Sequence, residues 1–268
     1  MKQVATQTIV ALNDAESSEN RIHSDAIALR YGFRGALVSG VNVFGYLTQP
    51  LVSTYGAQWL ERGILDVKFL KPAYHAESLT ITTLQSDPAV GARHHITTAT
   101  NVRGELLARL ESWDPETLPE VSTSSKLQGG PPLSERPEVA WDLIRLQEPG
   151  PDHLWQPGAE DNLERVEAQR DPAALYRGPE GYLHPYYLLD ACNRALMRMF
   201  VLPAWIHTNS RMVVREGLHA GQSILVRATP VQKWERKGHQ FLTLHVAMLV
   251  DDRIASETEH TAIFRLAG

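Results

Sequence analysis

Near its start the chain reads Asn20-Arg21-Ile22-His23-Ser24-Asp25 and then Gly32-Phe33-Arg34-Gly35-Ala36-Leu37-Val38-Ser39-Gly40. Apolar residues follow at helical spacing from Val41 to Val52, and this spacing predicts a helix that begins after the glycine-rich turn. The start of a helix carries free backbone N–H groups and a positive potential. This stretch therefore predicts a small binding site, with polar side chains beside a helix N-terminus.

A weaker copy of the second part of this stretch lies further along the chain, at residues 182–197. Gly40 aligns with Pro185 at an offset of 145 residues, and Glu77 aligns with Gln222 at the same offset. No gap is needed between these two matches. The sequence therefore predicts an internal duplication of one α+β unit.

Each copy contains one apolar helix followed by segments rich in β-forming residues, and the second helix is predicted at residues 186–200. The predicted strands are residues 64–69, 78–84, 94–100 and 105–113 in the first copy and 209–214, 223–234, 240–250 and 253–265 in the second. One long helix followed by antiparallel strands is typical of a sheet wrapped around that helix. We predict an α+β fold with repeats at residues 1–113 and 138–268, joined by a linker at residues 114–137 that is rich in Pro, Ser and Gly.

The composition argues against several classes of protein. The chain has 268 residues, 43% of them apolar, and a net charge of −5, which gives no reason to expect a nucleic-acid or membrane partner. Cys192 is the only cysteine, so no intrachain disulfide can form. The sequence shows neither a secretory signal nor an apolar run long enough to span a membrane. We therefore expect a cytoplasmic protein.

The sequence lacks the common signatures of nucleotide-binding loops, zinc proteases and serine hydrolases. The neighbours His94 and His95 lie on a predicted strand, where successive side chains point to opposite faces. They are therefore poorly placed to share one metal ion. We predict no metal and no redox cofactor.

The first repeat resembles the MaoC-like hydratases and dehydratases, a family that includes the (R)-specific enoyl-CoA hydratases. The residues that carry the resemblance are Asn20, Ile22, His23, Asp25, Gly32, Phe33, Gly40, Phe69, Pro72 and Glu77. The second repeat matches only in outline, at residues 183–185, Gly221 and residues 260–265. The resemblance implies a double hot-dog fold, in which the two repeats pair inside one chain. It also implies hydration or dehydration of an α,β-unsaturated or 3-hydroxy acyl thioester of CoA or acyl carrier protein, without a cofactor.

The catalytic motif of that family is Asp-x-Asn-Pro-x-His, in which the Asp and the His activate one water molecule. With its last position on His23, the motif places its Asn on Asn20 and its Asp on Ser18. A serine hydroxyl without an activator is no general base near neutral pH, so we expect a carboxylate from Glu19 or Asp25 instead. The alternatives are that His23 binds loop backbone, that Glu19 is a solvated loop charge and that Asp25 caps the following helix.

The resemblance further implies that the backbone N–H of Gly40 polarises the thioester carbonyl. The alternative is that Gly40 only relieves crowding between helix and sheet. We expect Ser39 and Ser18 to contact the substrate, and Arg34 to meet a substrate carboxylate or a CoA phosphate unless it is an exposed turn residue. In the second repeat, Pro185 offers no N–H at the equivalent position. That repeat is therefore predicted to shape the acyl pocket rather than to catalyse a reaction.

Three functions stay open on the sequence. The first is a hydratase or dehydratase, the second is a protein that binds an acyl thioester after losing the catalytic acid, and the third is a thioesterase whose carboxylate faces the thioester carbon. The position of the carboxylate nearest to His23 separates the first two. A homodimer is compatible with the exposed edges of such a fold, although two repeats can also be complete as a monomer.

Overall fold

The computed structural model describes residues 1–86 and 93–267. These residues form one antiparallel sheet of ten strands, together with five α-helices. The strands are β1 (Lys2–Val10), β2 (Gly63–Phe69), β3 (Ser78–Gln85), β4 (His94–Asn101), β5 (Leu106–Trp113), β6 (His153–Trp155), β7 (Ile206–Val214), β8 (Ile224–Arg236), β9 (His239–Val250) and β10 (Arg253–Arg265). The helices are α1 (Asp25–Arg30), α2 (Gly40–Tyr55), α3 (Ala57–Glu61), α4 (Ala159–Ala168) and α5 (Tyr186–Met199).

The two repeats build the two halves of the sheet with the same strand order. The first half runs β1-β3-β4-β5-β2, and the second half, read from its own edge, runs β6-β8-β9-β10-β7. The halves join where β2 pairs with β7 in antiparallel register, with Asp66 opposite Arg211. These two residues are 145 positions apart in the sequence. Equivalent strands therefore meet across an approximate two-fold axis, as the subunits of a symmetric dimer do.

Each half of the sheet packs against one long helix. α2 contacts β1, β3, β4 and β5, whereas α5 contacts β8 and β9, and the two helices also contact each other. Residues Val41 to Val52 of α2 are buried, because most of them are apolar and the helix lies inside the molecule. The predicted architecture, an antiparallel sheet around a helix in each repeat, is confirmed. Within the described residues, no helix has the length and apolar character needed to cross a membrane.

All eight predicted strands are present, and the structure adds elements that the sequence did not reveal. β1 forms one edge of the sheet with few buried residues, so its apolar pattern is weak. β6 has only three residues and forms the other edge. α4 lies in the connection between β6 and α5, where the sequence predicted no helix.

The predicted linker contacts the second half of the sheet. The Ser122 N–H donates to Glu257 Oε1 at 2.8 Å, and the Ser125 hydroxyl donates to the same oxygen at 2.6 Å. Ser125 is buried, so this part of the linker is held against the sheet. The division into residues 1–113, 114–137 and 138–268 stays a prediction.

Candidate active site

A cavity of about 270 Å³ opens at the N-terminus of α2, and residues of both repeats form its wall. The first repeat contributes the segment around His23, the start of α2, the end of β2 and the start of β5. The second repeat contributes the start of β7 and Asn193 of α5. Most of the wall is apolar, with a smaller number of polar side chains, which is typical of a site for a small organic ligand.

His23 faces this cavity from the short 3-10 helix Arg21–His23. Its Nδ1 lies 2.8 Å from the carbonyl oxygen of Leu37. A carbonyl oxygen can only accept a hydrogen bond, so we assign the proton to Nδ1 and the lone pair to Nε2. Burial lowers the pKa of His23 below its ordinary value of 6.5, and the ring is therefore neutral at neutral pH. In this state Nε2 can accept a proton.

Asn20 fixes His23 relative to the second repeat. Its amide donates to the carbonyl oxygen of Trp205 at 3.0 Å and accepts from the N–H of Trp205 at 3.1 Å. The Asn20 Nδ2 atom also lies 3.4 Å from Nε2 of His23, which is longer than a normal N–H hydrogen bond. Since Nε2 carries the lone pair, Nδ2 of Asn20 is a long and therefore weak donor to it, and a water or substrate hydroxyl at normal hydrogen-bond distance can replace it. Asn20 has no titratable proton, so it positions His23 and does not exchange protons itself.

α2 begins at Gly40, on the wall of the cavity. The N–H groups of Asn42 and Val43 donate to the carbonyl oxygen of Ser39, whose side chain makes no capping bond. The N–H groups of Gly40 and Val41 therefore have no acceptor within the helix. Together with the positive potential of the helix start, they favour a negatively charged oxygen at this point.

Ser18 and Glu19 do not line the cavity, although they precede Asn20. The hydroxyl of Ser18 donates to the carbonyl oxygen of Asn20 at 3.1 Å. Glu19 forms an ion pair with Arg136 at 3.1 Å, and both side chains are exposed. Glu19 is therefore a paired surface charge rather than a partner of His23.

Asp25 and Arg34 are also outside the cavity wall. Asp25 lies in the first turn of α1 and accepts a hydrogen bond from the N–H of Ala36 at 2.6 Å. Arg34 binds Glu77 at 2.7 Å and lies over the ring of Tyr74, 3.9 Å from its centre. The Arg34 charge is thus already paired, and Asp25 holds the turn that leads to α2.

The cavity wall contains no Asp or Glu among the described residues. The expectation that Glu19 or Asp25 places a carboxylate beside His23 therefore requires correction, because each of them is engaged elsewhere. Over the described ranges, no group of three or more His, Cys, Asp or Glu side chains is arranged to hold a metal ion. His23 is therefore the candidate proton acceptor of the wall, because its hydrogen bond to the Leu37 carbonyl oxygen fixes the proton on Nδ1 and the lone pair on Nε2.

The second repeat supplies polar residues that sequence reasoning did not select, among them Asn193, Trp205 and His207. One atom of each of these three, Asn193 Oδ1, Trp205 Nε1 and His207 Nδ1, is buried without a hydrogen-bond partner in the described structure. Trp205 and His207 reach the site because β7 pairs with β2, and Asn193 reaches it from α5. Their positions in the sequence carry no local motif that would have indicated this role.

The equivalent helix start in the second repeat is nearly closed, with a cavity of about 20 Å³ against about 270 Å³ at the start of α2. His184 occupies the position of Ser39 and is fully buried, with its Nε2 atom 3.3 Å from Asp171 Oδ2. The backbone N–H of His184 donates to Asn162 of α4 at 3.0 Å. The N-cap residue of α5 is Pro185, which has no N–H to offer to a ligand.

Comparison with solved structures identifies the fold. A protein from Chloroflexus aurantiacus J-10-fl that is described as a MaoC domain protein dehydratase is similar over 100% of this chain and 95% of its own, with a TM-score of 0.68 and 12% identity. A Mycobacterium tuberculosis protein described as having a double hot-dog fold is similar over 98% of this chain and 96% of its own, with a TM-score of 0.66 and 12% identity. A protein from Lactobacillus plantarum named as an oleoyl thioesterase is similar over 98% of this chain and 96% of its own, with a TM-score of 0.55 and 10% identity.

The chain therefore has the double hot-dog fold, as the resemblance implied, and the solved structures that share it include MaoC-like dehydratases. At these identities the likeness shows the fold and not the reaction. The sequence by itself matches no family model and no curated protein. The fold alone thus does not identify the reaction, which depends on the residues that line the cavity.

Proposed function

We propose that the cavity binds the thioester group of an acyl-CoA or acyl-carrier-protein and adds water reversibly to an α,β-unsaturated acyl chain. One observation carries this proposal: Nε2 of His23 and the free N-terminus of α2 at Gly40 belong to the same apolar cavity. A base beside a site that favours negative oxygen is what this reaction requires. The fold shared with MaoC-like dehydratases supports the same reaction class.

In the proposed reaction, the thioester oxygen accepts a hydrogen bond from the Gly40 N–H. Nε2 of His23 takes a proton from water while the water oxygen bonds to the β-carbon. The electron pair of the double bond moves toward the thioester, and the charge collects on its oxygen as an enolate. The protonated His23 then returns the proton to the α-carbon, so that one water has been added. Dehydration of a 3-hydroxyacyl thioester follows the same steps in reverse.

His23 performs both proton transfers in this scheme, because no carboxylate is present among the described residues of the cavity wall. The same observation favours a second function, in which the protein binds an acyl thioester without turning it over. Loss of a positioned acid or base commonly lowers a rate by about 100-fold to 10,000-fold. A protein with one such group in place of two is therefore expected to be a slow hydratase or a binding protein.

The test is to incubate the protein with crotonyl-CoA and with longer trans-2-enoyl-CoA esters and to follow the loss of enoyl thioester absorbance. We expect turnover in the wild type and its loss in His23→Ala. Release of free thiol is measured in the same samples and would indicate a thioesterase instead. Binding of the esters without turnover or thiol release would favour the binding protein, and the absence of binding would reject both proposals.

A further inference from the structure

His207 lies against the start of α2, although it belongs to the second repeat. It lines the cavity at the beginning of β7, and a Cβ atom added to Gly40 would sit 3.4 Å from His207 Nδ1. This nitrogen has no hydrogen-bond partner in the described structure, and the His207 side chain is buried. A buried polar atom without a partner is uncommon in folded proteins and often marks a functional site.

The other ring nitrogen of His207 begins a buried chain of hydrogen bonds. Nε2 lies 2.8 Å from the hydroxyl of Ser210, and this hydroxyl lies 3.0 Å from Nδ1 of His260. Ser210 and His260 are both buried, and Nε2 of His260 also has no partner within the described residues. This series of hydrogen bonds therefore has one unpaired ring nitrogen at each end.

The direction in which the Ser210 hydroxyl donates decides whether Nδ1 of His207, at the start of α2, carries a proton or a lone pair. If Ser210 donates to Nε2 of His207, the His207 proton is on Nδ1, and His260 donates to Ser210. If Ser210 donates to His260 instead, Nδ1 of His207 bears a lone pair. A thioester oxygen can only accept hydrogen bonds, so its binding selects the arrangement in which Nδ1 of His207 carries the proton.

The pair of histidines is uncharged. Burial, followed by the neighbouring His260, lowers the pKa of His207 well below 6.5, and burial lowers the pKa of His260 to about 3. A neutral imidazole N–H donates a hydrogen bond without placing a full positive charge in the apolar wall. It can therefore polarise a carbonyl over a wide range of pH.

We propose that Nδ1 of His207 is the second hydrogen-bond donor to the thioester oxygen, beside the backbone N–H of Gly40. This inference rests on the proposed binding of an acyl thioester, but it does not require that the protein turn the thioester over. Ser210 and His260 then act as positioning residues, since they set the protonated nitrogen of His207. The second repeat thereby contributes directly to the chemistry of the first.

The test uses butyryl-CoA labelled with ¹³C at the carbonyl, a saturated thioester that can be neither hydrated nor dehydrated. Its carbonyl resonance is recorded free and bound to the wild type, to His207→Leu and to His207→Asn. Leucine removes the donor, whereas the asparagine amide offers an N–H near the place of Nδ1. His95→Leu is the matched control, because His95 is a buried strand histidine bonded to Tyr55 and does not line this cavity.

We expect a downfield shift on binding to the wild type, His207→Asn and His95→Leu, and a smaller shift in His207→Leu. The thioether S-butyl-CoA, which has no carbonyl oxygen, should bind about two- to tenfold more weakly than butyryl-CoA to the wild type, as the loss of a carbonyl hydrogen bond implies. Equal carbonyl shifts in the wild type and in His207→Leu would overturn the inference while leaving thioester binding intact. Failure of the wild type to bind butyryl-CoA would reject the proposed function and this inference together.

If His207→Leu does not fold, ¹⁵N-labelled histidine in the wild type answers the same question. The resonance of an Nδ1–H that binds the thioester oxygen should shift on addition of butyryl-CoA and not on addition of S-butyl-CoA. A histidine spectrum that responds equally to both ligands would contradict the proposed hydrogen bond.

Discussion

The starts of α2 and α5 are equivalent places in the two repeats, but only the start of α2 opens into a large cavity. The connection from β1 to α2 has 29 residues and the connection from β6 to α5 has 30. The first folds into a 3-10 turn and the short α1, and it leaves the start of α2 accessible. The second folds into α4 and covers the start of α5. The two halves of the sheet have the same strand order, so the connection before the helix decides whether the helix start is accessible to a ligand.

The closed repeat also supports the open one. Gln169, which follows α4, donates through its side chain to Asn42 at 2.9 Å and accepts from Gln49 at its carbonyl oxygen at 2.8 Å. Both partners lie on α2. The segment that closes the second repeat thus fixes the helix whose start forms the candidate site in the first.

The largest expected difference between the repeats is kinetic. His23→Ala should lower kcat/KM for an enoyl-CoA by about 100-fold to 10,000-fold, because it removes the proposed proton-transfer group. His219→Ala is the matched control, since His219 lies in the second repeat and also holds a backbone carbonyl through Nδ1, that of Glu180 at 2.9 Å. Steady-state kinetics on both variants make the comparison. Equal losses would mean that His23 acts through the fold and not through the reaction.

Two glycines on α2 allow the two regions to be tested separately. Gly40 lies on the wall of the cavity, whereas Gly45 lies against Gln169, which follows α4. A methyl group on Gly45 would overlap Oε1 of Gln169, so Gly45→Ala should destabilise the protein by about 1–3 kcal/mol. A methyl group on Gly40 would meet its nearest neighbours, His207 and Phe69, at 3.4 Å, so Gly40→Ala should keep its stability. The added methyl group narrows the space in front of the Gly40 N–H and displaces the thioester from it. A displacement of the reacting group lowers kcat/KM by about tenfold to 100-fold.

Thermal unfolding and steady-state kinetics on both variants test this separation. Each kcal/mol of lost stability lowers Tm by about 2–4 °C in a chain of this size. A Gly45→Ala variant of unchanged stability would show that α2 packs loosely against Gln169. A Gly40→Ala variant with full activity would show that the start of α2 does not hold the thioester.

The closed repeat should respond to mutation through stability alone. Asp171→Ala removes a buried carboxylate that lies 3.3 Å from Nε2 of His184 and accepts a hydrogen bond from the N–H of Ala173 at 2.9 Å. The loss of such a buried polar partner costs about 1–3 kcal/mol. Activity per folded molecule should be unchanged. Chemical denaturation and kinetics at a temperature where the variant is folded check both statements. A variant that is stable but inactive would show that the His184–Asp171 pair takes part in the reaction.

The smallest expected effect is on the pH dependence of activity. Burial lowers the pKa of His23 below 6.5, and the reaction needs the neutral ring, so kcat/KM should be lost as the pH falls through that lowered pKa. More than half of the protein still has neutral His23 at pH 6.5. The acid side of the profile should therefore change kcat/KM by less than about twofold between pH 8 and pH 6.5. A loss centred above pH 6.5 would contradict this, and would mean that the carboxylate of Asp14, which raises the pKa of His23, outweighs the effect of burial.

The sequence predicted both long helices and the eight main strands, because each of these elements has a strong apolar period. It predicted the duplication because two elements align at the same offset without a gap. It also identified Asn20, His23 and Gly40, which the structure brings to one cavity. It did not predict where the side chains of Glu19 and Asp25 point, because residues that are neighbours in the sequence can face different sides of a turn or a short helix. His207 was missed because its place at the site depends on the pairing of β7 with β2, a long-range contact that has no local pattern.

A calorimetric titration of the protein with butyryl-CoA, repeated with His23→Ala and Gly40→Ala, tests whether the start of α2 binds the thioester. An open start of α2 and a closed start of α5 predict one binding site per chain, with weaker binding when Gly40 is changed. Two sites per chain would show that the second repeat also opens to the ligand. No binding, or one site that neither substitution affects, would contradict the assignment of the thioester site to the start of α2.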